Sequence, residues 1–182
     1  MSQTPTTTAP GADLMQRAAN IRLACFDVDG TLTDGRLWFD GQGPESKAFH
    51  VLDGQGMVLL CKHGIAVAMV TARGGKAAAQ RGAELGIEVC SGIGDKLAQV
   101  QALCGQHGCG LQQVAFMGDD LPDLRVMKAV GLAVAPANAH RWILPHVHLV
   151  TAAAGGAGAA RELCDLLLEA QGKAEAVLQG FS

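Results

Sequence analysis

Ile21-Arg22-Leu23-Ala24-Cys25-Phe26-Asp27-Val28-Asp29-Gly30-Thr31-Leu32-Thr33-Asp34-Gly35 is the stretch on which the reading of this chain turns. The run Ile21 to Phe26 is apolar except for Arg22. Such a run reads as a buried strand of a parallel sheet, and the Asp and Gly-Thr residues after it read as a polar loop. In an open α/β sheet the ligand crevice lies outside the carboxyl ends of the strands. Residues i and i+2 of a strand point the same way, so Asp27 and Asp29 face one site if the extended backbone persists that far. Two carboxylates that close repel each other, and they share a site only with a cation between them or a proton on one of them. The ordinary alternative is that Asp-Gly and Gly-Thr are turn punctuation and Asp27 is a cap.

The remainder of the chain bounds the answer. It has 182 residues, 49% of them hydrophobic, and a formal net charge of −3. That length fits one domain with a real core. No block of Lys and Arg occurs, which argues against nucleic acid and anionic membranes as partners. No stretch is long and apolar enough to span a bilayer. The six cysteines, Cys25, Cys61, Cys90, Cys104, Cys109 and Cys164, form no C-x-x-C pair. Cys104 and Cys109 lack a second half-site for zinc. Free thiols of this kind suit a reducing cytoplasm. Residues 1–18 read as a flexible tail, Thr/Pro-rich at its start and without the apolar core of a signal peptide.

Strand-like and helix-like segments then alternate. Strands are expected at Ile21–Phe26, Ile65–Val70, Ile87–Cys90, Gln113–Met117, Gly131–Ala135 and His148–Thr151. Helices are expected at Gln55–His63, Gly75–Leu85, from Asp95, at Leu121–Ala129, Pro136–Leu144 and Arg161–Gln171. Residues 36–50 carry two short extended pieces around Asp40-Gly41-Gln42-Gly43-Pro44, a hairpin flap with a loose turn. Repeated strand–helix units imply an α/β fold, a doubly wound parallel sheet with helices on both faces. The Ala/Gly stretch Ala152–Ala160 is either a mobile loop or a tight turn where backbone approaches a ligand. The segment 172–182 is a tail whose Val177, Leu178 and Phe181 need somewhere to dock.

Polar groups now align at strand ends: Asp27 and Asp29, then Thr71 and Arg73, then Asp119, Asp120 and Asp123, with Lys96 between the last two sets. Together they offer a carboxylate nucleophile, a proton donor, acids for a metal, and a hydroxyl and an ammonium for phosphate oxygens. Phosphoryl transfer needs this set. Oxygen ligands without His or Cys favour Mg²⁺. Individually each has a plainer reading, since a Thr can end a strand, a first-turn Lys is commonly solvated, and Asp120 and Asp123 can cap a helix. His140, His146 and His148 lack the spacing of a zinc site.

In this order the motifs resemble the haloacid dehalogenase phosphatase superfamily: Asp27-Val-Asp29-Gly-Thr-Leu, Thr71, Lys96, and Gly118-Asp119-Asp120-Leu-Pro-Asp123. They resemble most its capless 3-deoxy-D-manno-octulosonate 8-phosphate phosphatases, through Asp27–Gly35, Ala48–Gly54, Gly155–Glu162 and Leu166–Lys173. The resemblance spans Ala19 to Lys173. It implies a phosphatase domain over 19–171 without a cap, acting on a sugar phosphate in lipopolysaccharide precursor synthesis. It implies Asp27 as nucleophile, Asp29 as proton donor and acceptor, and Thr71 and Lys96 at the phosphate. It also implies Mg²⁺ on the Asp27 carboxylate, the Asp29 backbone carbonyl and Asp119, with Asp120 and Asp123 behind them. Gly30, Thr31, His50, Asp53, Gly54 and Arg73 are the implied substrate contacts. A homotetramer follows as well, with a neighbouring subunit or the C-terminal tail closing the site.

The chain departs from that pattern at Leu52 and Ala157, where the subfamily carries basic residues, and at Ala72, where Gly is usual. A phosphatase of a related ulosonate or nonulosonate phosphate, or of sugar phosphates generally, therefore stands beside the first reading. A non-catalytic phosphoacceptor or scaffold module stands further off, because such a module has no need of Asp29.

Overall fold

A computed structural model describes residues 11–39, 41 and 45–182. Six strands form one sheet: β1 (Leu23–Phe26), β2 (Ala66–Val70), β3 (Glu88–Cys90), β4 (Val114–Met117), β5 (Leu132–Ala135) and β6 (Leu149–Val150). The order is β3-β2-β1-β4-β5-β6 and every pairing is parallel. Strands β1 and β4 are buried at every position, as a sheet covered on both faces requires.

Alternation along the strands divides the core in two. Ala24, Phe26, Val67, Met69, Ala115 and Met117 pack with α1 (Ala12–Ala19), α2 (Val51–Lys62), α3 (Lys76–Leu85) and α6 (Ala159–Ala170). Leu23, Cys25, Ala68, Val70, Val114 and Phe116 pack with α4 (Lys96–His107) and α5 (Leu124–Met127). The helix pair α2 and α6 lies close because Gly56 has no side chain, and a Cβ there would sit 2.9 Å from both Arg161 Cδ and Cys164 Cβ. The chain runs from β1 out to β3 and returns to β4, so the strand order reverses between β1 and β4. The ends of those two strands are where an α/β sheet opens its crevice.

Three expectations need correction. Residues 12–18, assigned to a tail, belong to α1, whose Ala18 is fully buried and whose Leu14 and Met15 pack on the core. The segment Pro136–Leu144 is not a helix. The Ala137 N–H donates to Ala153 O and the His140 N–H to Asp119 O, so these donors bond to neighbouring loops instead of to their own turn. Only Leu144–His146 coils, as a 3₁₀ turn. The flap is one antiparallel bridge, Trp38 to Ser46, rather than a pair of strands. Of its expected turn, residues 40 and 42–44 lie outside the described residues. In the C-terminal segment, α7 (Ala174–Gln179) packs Val177 on the core and leaves Leu178 and Phe181 exposed.

Candidate active site

A cleft of about 240 Å³ opens at the carboxyl end of the sheet, lined by Asp27, Asp29, Thr71, Arg73, Lys96, Asp119, Asp120 and Asp123 with Ala72 and Pro122. The Asp27 N–H donates to Met117 O at 2.9 Å, which extends the β1–β4 ladder one residue and fixes Asp27 between the strands. The chain then turns sharply, with Leu32 and Thr33 N–H groups both donating to Val28 O. The Thr33 hydroxyl accepts from Gly30 N at 3.2 Å. Gly30 has φ 89°, and a Cβ there would fall on the Asp119 carboxylate. Glycine is required at this point by both conformation and space.

The Ala/Gly stretch supports this turn from below. A Cβ on Gly155 would run into the Gly30 carbonyl, 2.6 Å from its carbon. One on Gly156 would lie 2.5 Å from Asp34 N. The Gly155 N–H donates to Asn138 Oδ1 at 2.7 Å. Backbone does approach closely here, but what approaches is the loop after β1 and not a ligand.

Lys96 opens α4, whose N-cap Asp95 accepts from Ala98 N. Its ammonium is buried between Asp27 Oδ1 at 2.7 Å and Asp123 Oδ1 at 2.5 Å. The other Asp123 oxygen accepts from the N–H groups of Asp119 at 3.1 Å and Asp120 at 3.4 Å. Thr71 is buried at the end of β2, and its hydroxyl accepts from Arg73 N. Thr31 Oγ1 donates to Asp119 Oδ1 at 3.4 Å.

Electrostatics follow from this crowding. Burial, then the charge of Asp123, push the Asp27 carboxyl up to about 7 despite Lys96. Burial, then Asp123 and Asp120, raise Asp119 to about 6. Burial also raises Asp123, against the pull of Lys96. Burial alone would lower Lys96, but Asp27 and Asp123 outweigh it and its net shift is upward. Oxygens of Asp27, Asp119 and Asp123 all lie within 4.8 Å of one another. Crowded carboxylates whose ionised forms are disfavoured by burial and by one another are what a divalent cation relieves, and an all-oxygen set suits Mg²⁺. Both Asp123 oxygens are engaged, Oδ1 by Lys96 and Oδ2 by the N–H groups of Asp119 and Asp120, whereas only Oδ1 of Asp27 and of Asp119 has such a side-chain partner among the described residues, so these two are the better placed to ligate.

Several expected contacts lie elsewhere. Gly30 donates its N–H to Thr33 within the loop and Thr31 its hydroxyl to Asp119 across the site, and neither residue lines the cleft. Asp53 accepts from Arg161 N at 2.8 Å, capping α6 at a position buried away from the cleft. Its neighbour Gly54 makes room for Arg81. His50 precedes α2, and its Nδ1 is buried without a partner among the described residues. None of the three is part of the cleft lining. Leu52 and Ala157 are exposed. Conversely, Lys47 and Glu45 of the flap reach the site. Lys47 Nζ pairs with Asp29 Oδ1 and lies 2.9 Å from Glu45 Oε1, and Glu45 Oε2 lies 3.4 Å from Arg73 Nη1. Only the i, i+2 spacing of Glu45 and Lys47 on an extended piece hinted at this.

Comparison with known proteins points the same way. The sequence pattern of the haloacid dehalogenase-like hydrolases matches residues 68–163. A 3-deoxy-D-manno-octulosonate 8-phosphate phosphatase of Yersinia pestis is 48% identical over 164 residues, 90% of this chain and 88% of that protein. A hypothetical protein of Xanthomonas campestris has a crystal structure that superposes with a TM-score of 0.94 at 56% identity, covering 100% of both chains. The crystal structure of the Moraxella catarrhalis 3-deoxy-D-manno-octulosonate 8-phosphate phosphatase, in complex with magnesium, phosphate and KDO, superposes at 0.90. It is 36% identical, with 93% of this chain and 98% of that one covered.

Proposed function

Since this chain belongs to the haloacid dehalogenase-like hydrolases, and within them to the 3-deoxy-D-manno-octulosonate 8-phosphate phosphatases, we infer that it is the Mg²⁺-dependent enzyme that removes phosphate from that sugar acid in lipopolysaccharide precursor synthesis. The observation that carries the reading is the Asp27–Lys96–Asp123 cluster beside Asp119 at the β1–β4 switch point. It joins a nucleophile, a phosphate-facing cation and a metal-binding pair in one cleft.

Each residue's role follows from its chemistry. An Asp27 oxygen attacks phosphorus as the bond from phosphorus to the sugar oxygen breaks, giving an aspartyl phosphate. Asp29 gives its proton to the leaving oxygen, then takes one from the water that attacks phosphorus and frees Asp27. The Thr71 hydroxyl and the Lys96 ammonium hold phosphate oxygens, and Arg73 at the cleft mouth suits the substrate carboxylate. Asp27, Asp119 and the Asp29 backbone carbonyl would hold Mg²⁺. When bound, the ion supplies the positive charge that lets an anionic nucleophile meet an anionic phosphate.

The exposed Trp38, Phe39, Val51 and Leu52 around the flap support a homotetramer in which a neighbour completes the cleft. No helix among the described residues is long and apolar enough to cross a membrane, and the six free cysteines suit a reducing cytoplasm. Phosphate release with Mg²⁺ from a panel of sugar phosphates tests the reading. Preference for the eight-carbon substrate is the expected outcome. Preference for a nine-carbon ulosonate phosphate would favour the second reading, which rests on Leu52 and Ala157 standing where basic residues are usual. No release from any member would sink both.

A further inference from the structure

The loop after β1 leaves the Asp29 carboxylate without a backbone donor. Among the described residues, its side-chain hydrogen-bond partner is Lys47, on the flap. Arg73 Nε approaches the second oxygen, Oδ2, only to 3.8 Å, beyond hydrogen-bond reach. Among the described residues, Oδ1 is thus held while Oδ2 has no hydrogen-bond partner.

The Lys47 side chain is 2% exposed. A buried ammonium must be paired, and Glu45, two residues away, already supplies one carboxylate at 2.9 Å. The pairing with Asp29 is therefore not needed to bury the lysine. It ties a residue of the flap to a loop that lies 18 positions earlier in the chain. A proton donor works only when its atom is within hydrogen-bond reach of the atom it protonates, and small displacements are costly.

We propose that Lys47 is the positioning residue of Asp29: by holding Oδ1 it fixes the carboxylate so that Oδ2 meets the leaving sugar oxygen. The proposal rests on the phosphomonoesterase reading given above. It also makes the flap part of the catalytic apparatus, since Trp38 and Ser46 brace the segment that carries Lys47.

A leaving-group comparison tests it. The sugar phosphate expels an alkoxide that needs a proton, whereas p-nitrophenyl phosphate expels a phenolate that does not. The ratio kcat/KM reports steps up to phosphoryl transfer, so it isolates the donor role of Asp29 from its later role toward water. With Mg²⁺, Lys47→Met is expected to lower kcat/KM for the sugar phosphate about 100-fold and for p-nitrophenyl phosphate less than about 5-fold, the span of a general-acid contribution. Asp29→Asn should give the same asymmetry, and Lys47→Arg should restore much of the loss. If Lys47→Met does not fold, Lys47→Gln carries the same comparison. Equal losses on both substrates would assign Lys47 a merely structural part and overturn the proposal, as would no loss on either. A wild-type chain inactive on both substrates would instead overturn the phosphatase reading beneath it.

Discussion

Lys96→Met removes an ammonium wedged between two buried carboxylates while keeping most of the side-chain stem. Lys96 is 5% exposed, Asp27 7% and Asp123 1%, with contacts of 2.7 and 2.5 Å. Taking one partner from a buried ion pair typically costs about 3–5 kcal/mol, because the remaining charge is left uncompensated. The loss must depend on pH. Asp27 titrates at about 7 in the folded chain against 3.8 for an ordinary Asp, and Lys96 is the group that restrains it. Between those values the folded state holds a proton that the unfolded state has lost, so stability falls as pH rises through the window. Without Lys96 the folded value climbs further and the fall steepens. Urea unfolding of both proteins with a chelator, at about pH 5.5 and about pH 8, measures the effect, and the larger loss is expected at the higher pH. A loss below about 1 kcal/mol, or one equal at both pH values, would refute the view that Lys96 neutralises these carboxylates.

Gly155→Ala pushes a methyl group into the backbone of the catalytic loop, and should cost about 1–3 kcal/mol while sharply lowering phosphate release. Asp53→Ala removes the cap of α6, and should lower stability by about 1 kcal/mol in a thermal melt but leave kcat/KM unchanged. A marked rise in KM instead would return Asp53 to the substrate. With Asp27 at about 7 and Asp119 at about 6, Mg²⁺ must displace protons on binding at pH near 6. Calorimetry in buffers of different ionisation enthalpy should detect that release near pH 6 and find it gone well above pH 7.

The sheet was legible because β1, β2 and β4 are unbroken apolar runs that lead into Asp27, Thr71 and Gly118-Asp119, residues that line or flank the cleft. Asp27, Thr71, Lys96 and Asp119 could be gathered from four separate motifs because a parallel sheet brings its strand ends to one edge. What escaped were contacts made by tertiary packing. Asp53 sits in a motif that looks ligand-facing, yet its Oδ1 accepts from Arg161 N in the first turn of α6, and no local pattern signals a cap made across the molecule. Pro136–Leu144 reads as a helix, but the N–H groups of Ala137 and His140 donate to the loops beside it, and only isolated turns such as Ile143 to His140 form within it. Lys47 is one of several charged residues on an irregular flap, and only folding shows that it reaches Asp29. The N-terminal helix α1 was hidden because it is only eight residues long, and so short a helix takes its stability from packing, here on α6.

The claim on which the rest depends is that Asp27 receives the phosphoryl group. Asp29→Asn, mixed with Mg²⁺ and p-nitrophenyl phosphate, whose leaving group needs no proton, and quenched rapidly in acid, allows the peptide bearing residue 27 to be weighed. One added phosphoryl group on that peptide, absent when Asp27 is also changed to Asn, is the predicted result. Phosphate release by a protein with Asp27→Asn alone, at a rate comparable to the unmodified chain, would contradict it.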